Sequence, residues 1–441
     1  MNFYKTSFMS GLYAVINMIT GLIITKLSAK IIGPVGTAYI GKFGNISGLI
    51  LIIATASIAT GIVKYVSEHK DNKQKLKEII QTAFSIIGIG SLICCLFVLI
   101  SSSYLNQAAF KDQDFKIVFI LYGCFLILIS LQVLITGILN GLGEINKLTY
   151  VNIAASLLNL ITTLILITKY NVIGALLSNS LFALFSTLTG MIALGKLKFL
   201  NREFFKFHLN LEFAKQLIKY GVFSAITSFS WMWSMIIIRE MVEWNLSITD
   251  AGLWQAMFSL SDRYLAVITG TMVVYFIPKL SGISETSELV REIRKAFKRI
   301  IPVMIFIAGT IWLCRDLIIS ILLAETFRPM RVLFGFQMMG DVFRISAIIL
   351  SYIITSKAMF RSGLKADLSF HALLIVCTYF CLKQFGLVGC SYAYAIACLL
   401  YFCIYLIIFK DLIVLIKKSV LPKPWKQQMG LKGGRAGGLE G

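Results

Sequence analysis

Five ionisable residues lie inside segments of this chain that are otherwise apolar and long enough to cross a lipid bilayer. They are Lys26, Asp262, Arg263, Asp341 and Arg344. A charged side chain at the centre of a bilayer costs roughly 2.5–3.5 kcal/mol on insertion scales, so such residues face a bundle interior or a water-filled pathway. The sequence therefore predicts a polar cavity in a lipid-embedded bundle, and we expect the function to depend on the residues around it.

Apolar segments recur along almost the whole chain. Of its 441 residues, 58% are hydrophobic, and the mean hydropathy is +0.82. Because a helix of about 20 residues spans a bilayer, we predict an all-α polytopic membrane protein with about twelve transmembrane helices. The predicted segments are 8–31, 43–63, 81–105, 117–140, 148–168, 172–194, 215–238, 252–276, 301–322, 332–356, 366–383 and 389–409.

The net charge of +21 is explained by topology rather than by nucleic-acid binding. Basic residues collect in the cytoplasmic loops of membrane proteins. With both termini in the cytoplasm, the predicted cytoplasmic segments carry about three times as many Lys and Arg residues as the periplasmic segments. We therefore predict a multi-pass protein with cytoplasmic N- and C-termini and no nucleic-acid partner.

Two stretches of sequence, 36–84 and 252–297, echo each other in the order of a glycine, an apolar span and a charged segment. Six-plus-six repeats are a transporter arrangement with the binding site between the halves. A chance likeness of two hydrophobic hairpins is the alternative. We predict a six-helix lobe at 1–200, a second at 201–412, and a basic, Gly-rich tail at 413–441 whose end is expected to be an appended segment.

The sequence lacks the usual signatures of an enzyme. It contains no phosphate-binding loop, zinc motif or serine nucleophile elbow. The nine cysteines lie in or beside apolar spans, where cysteine behaves as a small hydrophobe. We therefore expect no catalytic residue, metal or cofactor. The first apolar stretch is too long for a signal-peptide core, and we expect it to be retained as a helix.

Two predicted helices each present an amide followed by charged or polar residues on one face, at i, i+4 and i+7. The first set is Gln255, Ser259 and Asp262, and the second is Gln337, Asp341 and Arg344. Asp341 and Arg344 are also three residues apart and could pair with each other as a structural lock between helices.

Asp262 and Arg263 cannot simply neutralise each other, because adjacent helical residues point about 100° apart. Lys26 is a candidate partner, and its alternative is to reach the headgroup region. Lys64 lies at a predicted cytoplasmic helix end, where it is either a membrane anchor or part of a funnel for anionic headgroups. These residues predict an anion-binding pathway without fixing its ligand.

Nearly the whole chain, about residues 5–410, resembles the Wzx-type O-antigen and enterobacterial-common-antigen translocases. These are lipid-linked oligosaccharide flippases of the multidrug/oligosaccharidyl-lipid/polysaccharide exporter superfamily. The resemblance is carried by Lys26, Gly33-Pro34-x-Gly36, Val63-Lys64-Tyr65-Val66, Gly252-Leu253-Trp254-Gln255, Ser261-Asp262-x-Tyr264-Leu265, Pro278-x-Leu280-Ser281, Arg315-Asp316, Met330-Arg331-x-Leu333-Phe334 and Gln337-x-x-Gly340-Asp341-Val342.

The resemblance implies two six-helix lobes around a central cationic cavity in the bacterial inner membrane. Its implied substrate is an undecaprenyl-diphosphate-linked oligosaccharide, moved from the cytoplasmic to the periplasmic leaflet by alternating access. Candidate coupling ions are H⁺ and Na⁺, and polysaccharide polymerase and chain-length machinery are candidate partners. The alternative is an ion-coupled multidrug or small-molecule exporter of the same superfamily.

The residues and the resemblance together give a candidate site. Arg263 is an added charge relative to relatives with a small residue there, and Arg344 stands where relatives can carry another basic residue. The expected substrate-binding residues are Lys26, Lys64, Arg263, Arg344, Gln255 and Gln337, and the expected charge-balancing or proton-coupling residues are Asp262 and Asp341.

Overall fold

The computed structural model describes residues 3–111, 113–197, 202–283, 285–357 and 359–410, and the predicted tail at 413–441 lies outside them. Every regular element in these ranges is a helix, which confirms the predicted all-α class. The α-helices are α1 (Phe3–Ala54), α2 (Ala59–Glu68), α3 (Lys73–Ile100), α4 (Ser102–Phe110), α5 (Lys116–Gly141), α6 (Ile145–Gly195), α7 (Leu211–Asn245), α8 (Ile248–Gly282), α9 (Thr286–Leu313), α10 (Arg315–Leu322), α11 (Phe334–Ser356), α12 (Phe360–Phe385) and α13 (Leu387–Ile408), with 3₁₀ helices at Arg202–Phe205 and Glu325–Leu333.

The two longest helices each contain one residue with non-helical backbone angles. In α1 it is Gly33, with φ 62°, directly before Pro34. Glycine adopts this conformation without a Cβ clash, and the proline ring cannot follow a regular helical residue without strain. In α6 it is Asn171, with φ 49°. Each element is therefore two helices joined by a sharp bend, as the separate segments predicted at 148–168 and 172–194 require.

Nine helices among the described residues are long and apolar enough to cross a membrane. Two of these nine stretches, Val15–Ala54 and Ile145–Ser178, include the bends at Gly33 and Asn171. The polytopic helical architecture is therefore confirmed, and the predicted count of twelve remains approximate.

Three predicted segments are not single helices. Segment 43–63 crosses the break between α1 and α2, segment 81–105 crosses the turn between α3 and α4, and segment 301–322 crosses the turn between α9 and α10. Hydropathy is averaged over a window of about 19 residues, and each turn is only one to four residues long, such as Ser101 or Cys314 alone, so the average stays high across it. The sequence pattern therefore could not place the breaks.

The chain forms two compact units. Of the described residues, unit 1 comprises those up to Met257 together with Asp316–Arg331, and unit 2 comprises Phe258–Arg315 together with those from Val332 to Lys410. The boundary between residues 257 and 258 falls within α8. The sequence repeats predict two six-helix lobes that meet between residues 200 and 201, and this division stays a prediction.

Unit 1 is built around an apolar core that joins α2, α3, α5 and α7, with Ile62, Val66 and Leu217 among its fully buried members. Gly137 and Gly141 of α5 face Ile62 and Val66, and a Cβ at either glycine would come within 2.8 Å and 2.7 Å of those side chains. The two glycines thus allow α2 and α5 to approach each other closely. In unit 2, α11 packs against α9 and α13, and α13 packs against α12.

The break before α2 is held by close backbone contact. Ala56 and Ser57 have φ values of 46° and 52°, in the left-handed region that side chains rarely adopt. A Cβ on Gly221 of α7 would lie 2.4 Å from the Ala56 carbonyl oxygen, and one on Gly90 of α3 would lie 2.5 Å from the Ala54 oxygen. Glycines from two neighbouring helices therefore make room for the break.

We predict that Gly221→Ala destabilises the protein by about 1–3 kcal/mol, because the added methyl meets a backbone carbonyl that cannot move aside as a side chain can. Thermal unfolding of the purified protein in detergent measures the effect. Gly309→Ala is the control, since nothing in the described part of the chain lies within 4 Å of that position. It should be neutral or stabilising by up to about 1 kcal/mol. Equal melting temperatures for the two variants would contradict the close approach.

Candidate functional site

Asp341 is the most deeply buried of the predicted site residues, with 0% of its surface exposed. In unit 2 three hydroxyl groups donate to its carboxylate. Ser261 Oγ donates to Oδ2 at 2.8 Å, Tyr394 Oη donates to Oδ1 at 2.7 Å, and Tyr264 Oη donates to Oδ2. Buried charge is tolerated only with such partners. We call Asp341 and these three residues the carboxylate cluster.

The carboxylate cluster joins three helices, because its hydroxyls come from α8 and α13 and its acid from α11. Gly340 makes the approach of Tyr394 sterically feasible, since a Cβ there would lie 2.5 Å from Cδ1 of the Tyr394 ring. The small residue beside Asp341 therefore sets how closely α13 approaches α11.

Arg344 forms an ion pair across helices. Its Nη1 lies 2.7 Å from Oδ1 of Asp262 on α8, and Tyr394 Oη is 3.4 Å from the same nitrogen. The sequence left open a pair between Asp341 and Arg344 on one helix. In the structure the carboxylate partner of Arg344 is Asp262 of α8. Asp262 is thus paired with Arg344 and not with its neighbour Arg263.

Two other predicted site residues of unit 2 carry buried donors without a matching acceptor. Arg263 Nε and Gln337 Nε2 have no hydrogen-bond partner among the described residues. Gln337 is 2% exposed. Since most buried polar atoms in proteins are hydrogen-bonded, these donors are candidates for binding a polar ligand.

Lys26, in unit 1, contacts backbone oxygens rather than a carboxylate. Its ammonium donates to the carbonyl of Ile321 at 2.5 Å and lies 3.4 Å from that of Ser320. Both carbonyls belong to the last turn of α10, where backbone acceptors lack helical partners and the helix dipole attracts cations. Lys26 therefore caps α10, and no carboxylate among the described residues lies within ion-pair distance of its ammonium.

Lys64, also in unit 1, has an aromatic environment. Its ammonium donates to Tyr220 Oη at 2.6 Å and lies 4.8 Å and 4.5 Å from the centres of the Tyr65 and Tyr220 rings. The hydrogen bond with Tyr220 raises the pKa of Lys64 above its ordinary value, so the side chain stays protonated. Lys64 as a residue is exposed.

Gln255 contacts an arginine that the sequence analysis missed. Arg239 of α7 is 2% exposed, its Nη2 donates to Gln255 Oε1, and its guanidinium lies 5.8 Å from the Trp254 ring. Arg239 Nε and Nη1 have no hydrogen-bond partner in the described part of the chain. The predicted span ends at residue 238, which places Arg239 just outside the membrane and hides the signal.

A second missed group lies in the same unit. Lys42, only 4% exposed, forms ion pairs with Glu240 at 2.8 Å and with Glu243. Lys111 lies 2.5 Å from Glu243. Lys42 precedes the predicted span at 43–63 by one residue, so it too was assigned to a loop. The helix α1 already includes Lys42, before the start of the predicted apolar span. A charged residue at the predicted edge of a span is therefore buried in the protein.

The family model that matches this sequence covers residues 3–284, well over half of the chain, and describes a polysaccharide biosynthesis protein. The chain belongs to the polysaccharide biosynthesis protein family. This family match confirms the resemblance to Wzx-type translocases that the sequence motifs indicated.

Curated relatives extend the polysaccharide biosynthesis match. A "Lipid III flippase" of Escherichia coli (strain K12) is 28% identical over 403 residues, which are 91% of this chain and 97% of the relative. A protein of the same name from Shigella flexneri matches equally well. The similarity therefore runs over almost the full length of both proteins.

Solved structures establish the fold of this polysaccharide biosynthesis protein. The inward-facing form of a MATE family multidrug transporter of the MOP superfamily has a TM-score of 0.77 at 14% identity, covering 91% of this chain and 96% of that one. Its outward-facing form has a TM-score of 0.68 at 14% identity, covering 94% and 96%. At such low identity the likeness concerns the fold.

We predict that Asp341→Leu lowers stability by several kcal/mol, because it leaves three hydroxyl groups without their acceptor and each buried unsatisfied group costs about 1–3 kcal/mol. Asp341→Asn keeps acceptor capacity and should cost less. Thermal unfolding in detergent measures both.

Asp316→Leu is the matched control for this prediction. Its carboxylate, 52% exposed, pairs with Arg331 at 3.2 Å, and exposed pairs contribute only about 0–1 kcal/mol. A loss of stability for Asp341→Leu no larger than that of the control would contradict the proposed role of the carboxylate cluster.

Proposed function

We propose that this protein is a flippase that moves an undecaprenyl-diphosphate-linked oligosaccharide from the cytoplasmic to the periplasmic leaflet of the bacterial inner membrane by alternating access. The observation that carries the proposal is the alignment with 97% of a relative named Lipid III flippase. The intramembrane basic residues suit the diphosphate that such a substrate carries. The protein acts as a transporter, without a catalytic residue or cofactor.

The basic residues of the proposed site differ in their contacts, and we assign their roles in binding from these contacts. Lys26 and Lys64 are held by neutral acceptors, a backbone carbonyl and a phenol, so their positive charges are available to an anion. Arg263 adds a buried donor. Ammonium and guanidinium groups form short, strong hydrogen bonds with phosphate oxygens, and guanidinium does so in a forked geometry. We assign these side chains to the diphosphate and any acidic sugars.

In this proposal the carboxylates control whether a basic side chain such as Arg344 is free to bind phosphate. The side chain of Asp262 is 43% exposed while it pairs with Arg344. An incoming phosphate can compete for the guanidinium, because one side of the pair is already accessible. Asp262 and Asp341 then balance charge or exchange a proton when Arg344 changes partner. Gln337 and Gln255 supply amide contacts to the glycan.

The membrane potential is large enough to drive the transfer. Moving one charge through 100 mV is worth ~2.3 kcal/mol, so about two negative charges crossing ~150 mV gain on the order of 7 kcal/mol. The negative headgroup leaves a negative interior, so the sign is favourable. Coupling to H⁺ or Na⁺ is thus compatible with the proposal without being required for its energetics.

A small-molecule exporter shares this fold, as the MATE structures demonstrate. A carrier of cationic drugs would be expected to rely on acidic residues with few bases in its pathway. The excess of basic over acidic side chains among the predicted site residues favours an anionic substrate instead.

We predict that Lys26→Ala/Arg344→Ala reduces transport about tenfold or more. Losing charge-assisted hydrogen bonds to phosphate costs roughly 1.5–3 kcal/mol each, and 1.4 kcal/mol is a factor of ten. The parent and the double variant are expressed at matched membrane levels in bacteria that lack their own oligosaccharide flippase. Periplasmic delivery of the lipid-linked glycan is then followed over time.

Arg291→Ala/Arg328→Ala is the control double variant. These arginines are 65% and 69% exposed and pair only with acids three residues away in the described structure. The control should transport like the parent. Transport by the Lys26/Arg344 variant at the parent rate would refute the site, and failure of the parent with the native host's glycan pathway supplied would refute the flippase.

A further inference from the structure

Lys64 has an unusual set of neighbours for a lysine in a charged region. No carboxylate lies within ion-pair distance of its ammonium in the part of the chain that the structure describes. Its hydrogen-bond acceptor is the Tyr220 hydroxyl, and two tyrosine rings lie beneath it. Glu68, four residues further along α2, attracts the ammonium through its charge without forming an ion pair. The direct contacts that hold this cation are therefore neutral ones.

The two helices that carry these residues are firmly packed. Gly61 of α2 allows Leu217 of α7 to approach, with 3.2 Å between a Cβ at residue 61 and the leucine Cδ2. Leu217 is fully buried, and the ring of Phe213 packs edge-on against His69 at 5.9 Å. Tyr220 therefore projects from a helix whose position relative to α2 is fixed on both sides of the contact.

The rings of Tyr65 and Tyr220 also contact each other. Their centres are 5.8 Å apart and their planes meet at 87°, an edge-to-face geometry that aromatic pairs favour. Tyr65 is 9% exposed and belongs to the apolar core of unit 1. A buried tyrosine thus supports the Tyr220 ring, and both rings offer the negative face that attracts an ammonium group.

We propose that Tyr220 is a positioning residue that, together with Tyr65, holds the Lys64 ammonium ready to bind a phosphate oxygen of a lipid-linked diphosphate. This inference rests on the proposed function. It assigns a role to Tyr220, a residue without charge that the sequence patterns did not single out. In the predicted topology, α2 ends at the cytoplasmic side, so Lys64 meets the headgroup as the substrate enters.

The physical basis is preorganisation. A lysine side chain has many rotamers and loses that freedom when it binds a ligand. The phenol hydrogen bond and the two ring faces restrict the ammonium before the ligand arrives, so less entropy is lost on binding. An exposed carboxylate partner would restrict it equally well but would compete with the phosphate for the same charge.

The test measures binding of undecaprenyl diphosphate to the purified full-length protein in nanodiscs. Tyr220→Phe keeps the ring and its packing but removes the hydroxyl acceptor. We expect it to weaken binding about three- to tenfold, the usual net effect of one hydrogen bond. Lys64→Ala should weaken binding at least as much. Tyr150→Phe, at a side chain 63% exposed on α6, is the matched control and should bind like the parent.

The double variant Lys64→Ala/Tyr220→Phe separates positioning from a purely structural role. If Tyr220 acts through Lys64, the double variant binds no more weakly than Lys64→Ala alone, because effects on one shared interaction are not additive. If the loss of binding in the double variant equals the product of the two single losses, the proposal is overturned. A Tyr220→Phe variant that binds like the parent would also overturn it. Equal melting temperatures of Tyr220→Phe and parent confirm that folding is unchanged.

The choice of probes separates this inference from the proposed function. Free inorganic diphosphate should compete with undecaprenyl diphosphate, and undecaprenol, which lacks phosphate, should bind without sensitivity to Lys64 or Tyr220. If the parent binds undecaprenyl diphosphate but Lys64→Ala binds equally well, the Lys64 site fails while the flippase proposal stands. If the folded parent binds neither lipid, the substrate class itself is wrong and this inference falls with it.

Discussion

The Asp341 carboxylate, enclosed by hydroxyl groups from three residues, is the interaction on which the polar interior of unit 2 depends. A charge with no exposed surface needs partners on every side, and here they come from α8 and α13. The requirement fixes the register of both helices against α11. It also places Tyr394 where its hydroxyl lies between Asp341 and Arg344, so the acid and the base are organised by one side chain.

Among the lysines of unit 1, the chemistry of the partner separates charges paired with acids from those that the proposed function assigns to an anionic substrate. Lys42 and Lys111 are neutralised by Glu240 and Glu243, as expected of charges that stabilise a fold. Lys26 and Lys64 have a carbonyl and a phenol as partners. A cation bound to a neutral acceptor is fixed in space but keeps its attraction for anions. Partner chemistry, more than depth, therefore indicates which bases are suited to a phosphate.

Much of the fold could be predicted from the sequence, because long apolar runs in a chain of this hydropathy have few alternatives to membrane helices. The intramembrane charges marked polar positions on two helices, and the structure pairs Arg344 with Asp262 and surrounds Asp341 with hydroxyl groups in unit 2; these partners were not predicted. The breaks after Ala54, Ile100 and Leu313 were not predictable, since the one to four residues that make each turn leave the surrounding average hydropathy high. Arg239 and Lys42 were missed because they lie one residue outside spans whose ends hydropathy places only approximately.

The pairing of Arg344 with Asp262 suggests how binding can be coupled to a change of state. The Arg344 side chain is four-fifths shielded, while the Asp262 side chain that it pairs with is nearly half exposed. An anion that takes the guanidinium releases Asp262 toward solvent, where a carboxylate is stable, and leaves the more buried Asp341 still bound by its hydroxyls. The exchange therefore avoids creating an unpaired buried charge, which would cost several kcal/mol. A site built this way can release its internal counter-ion to accept substrate and recover it when substrate leaves.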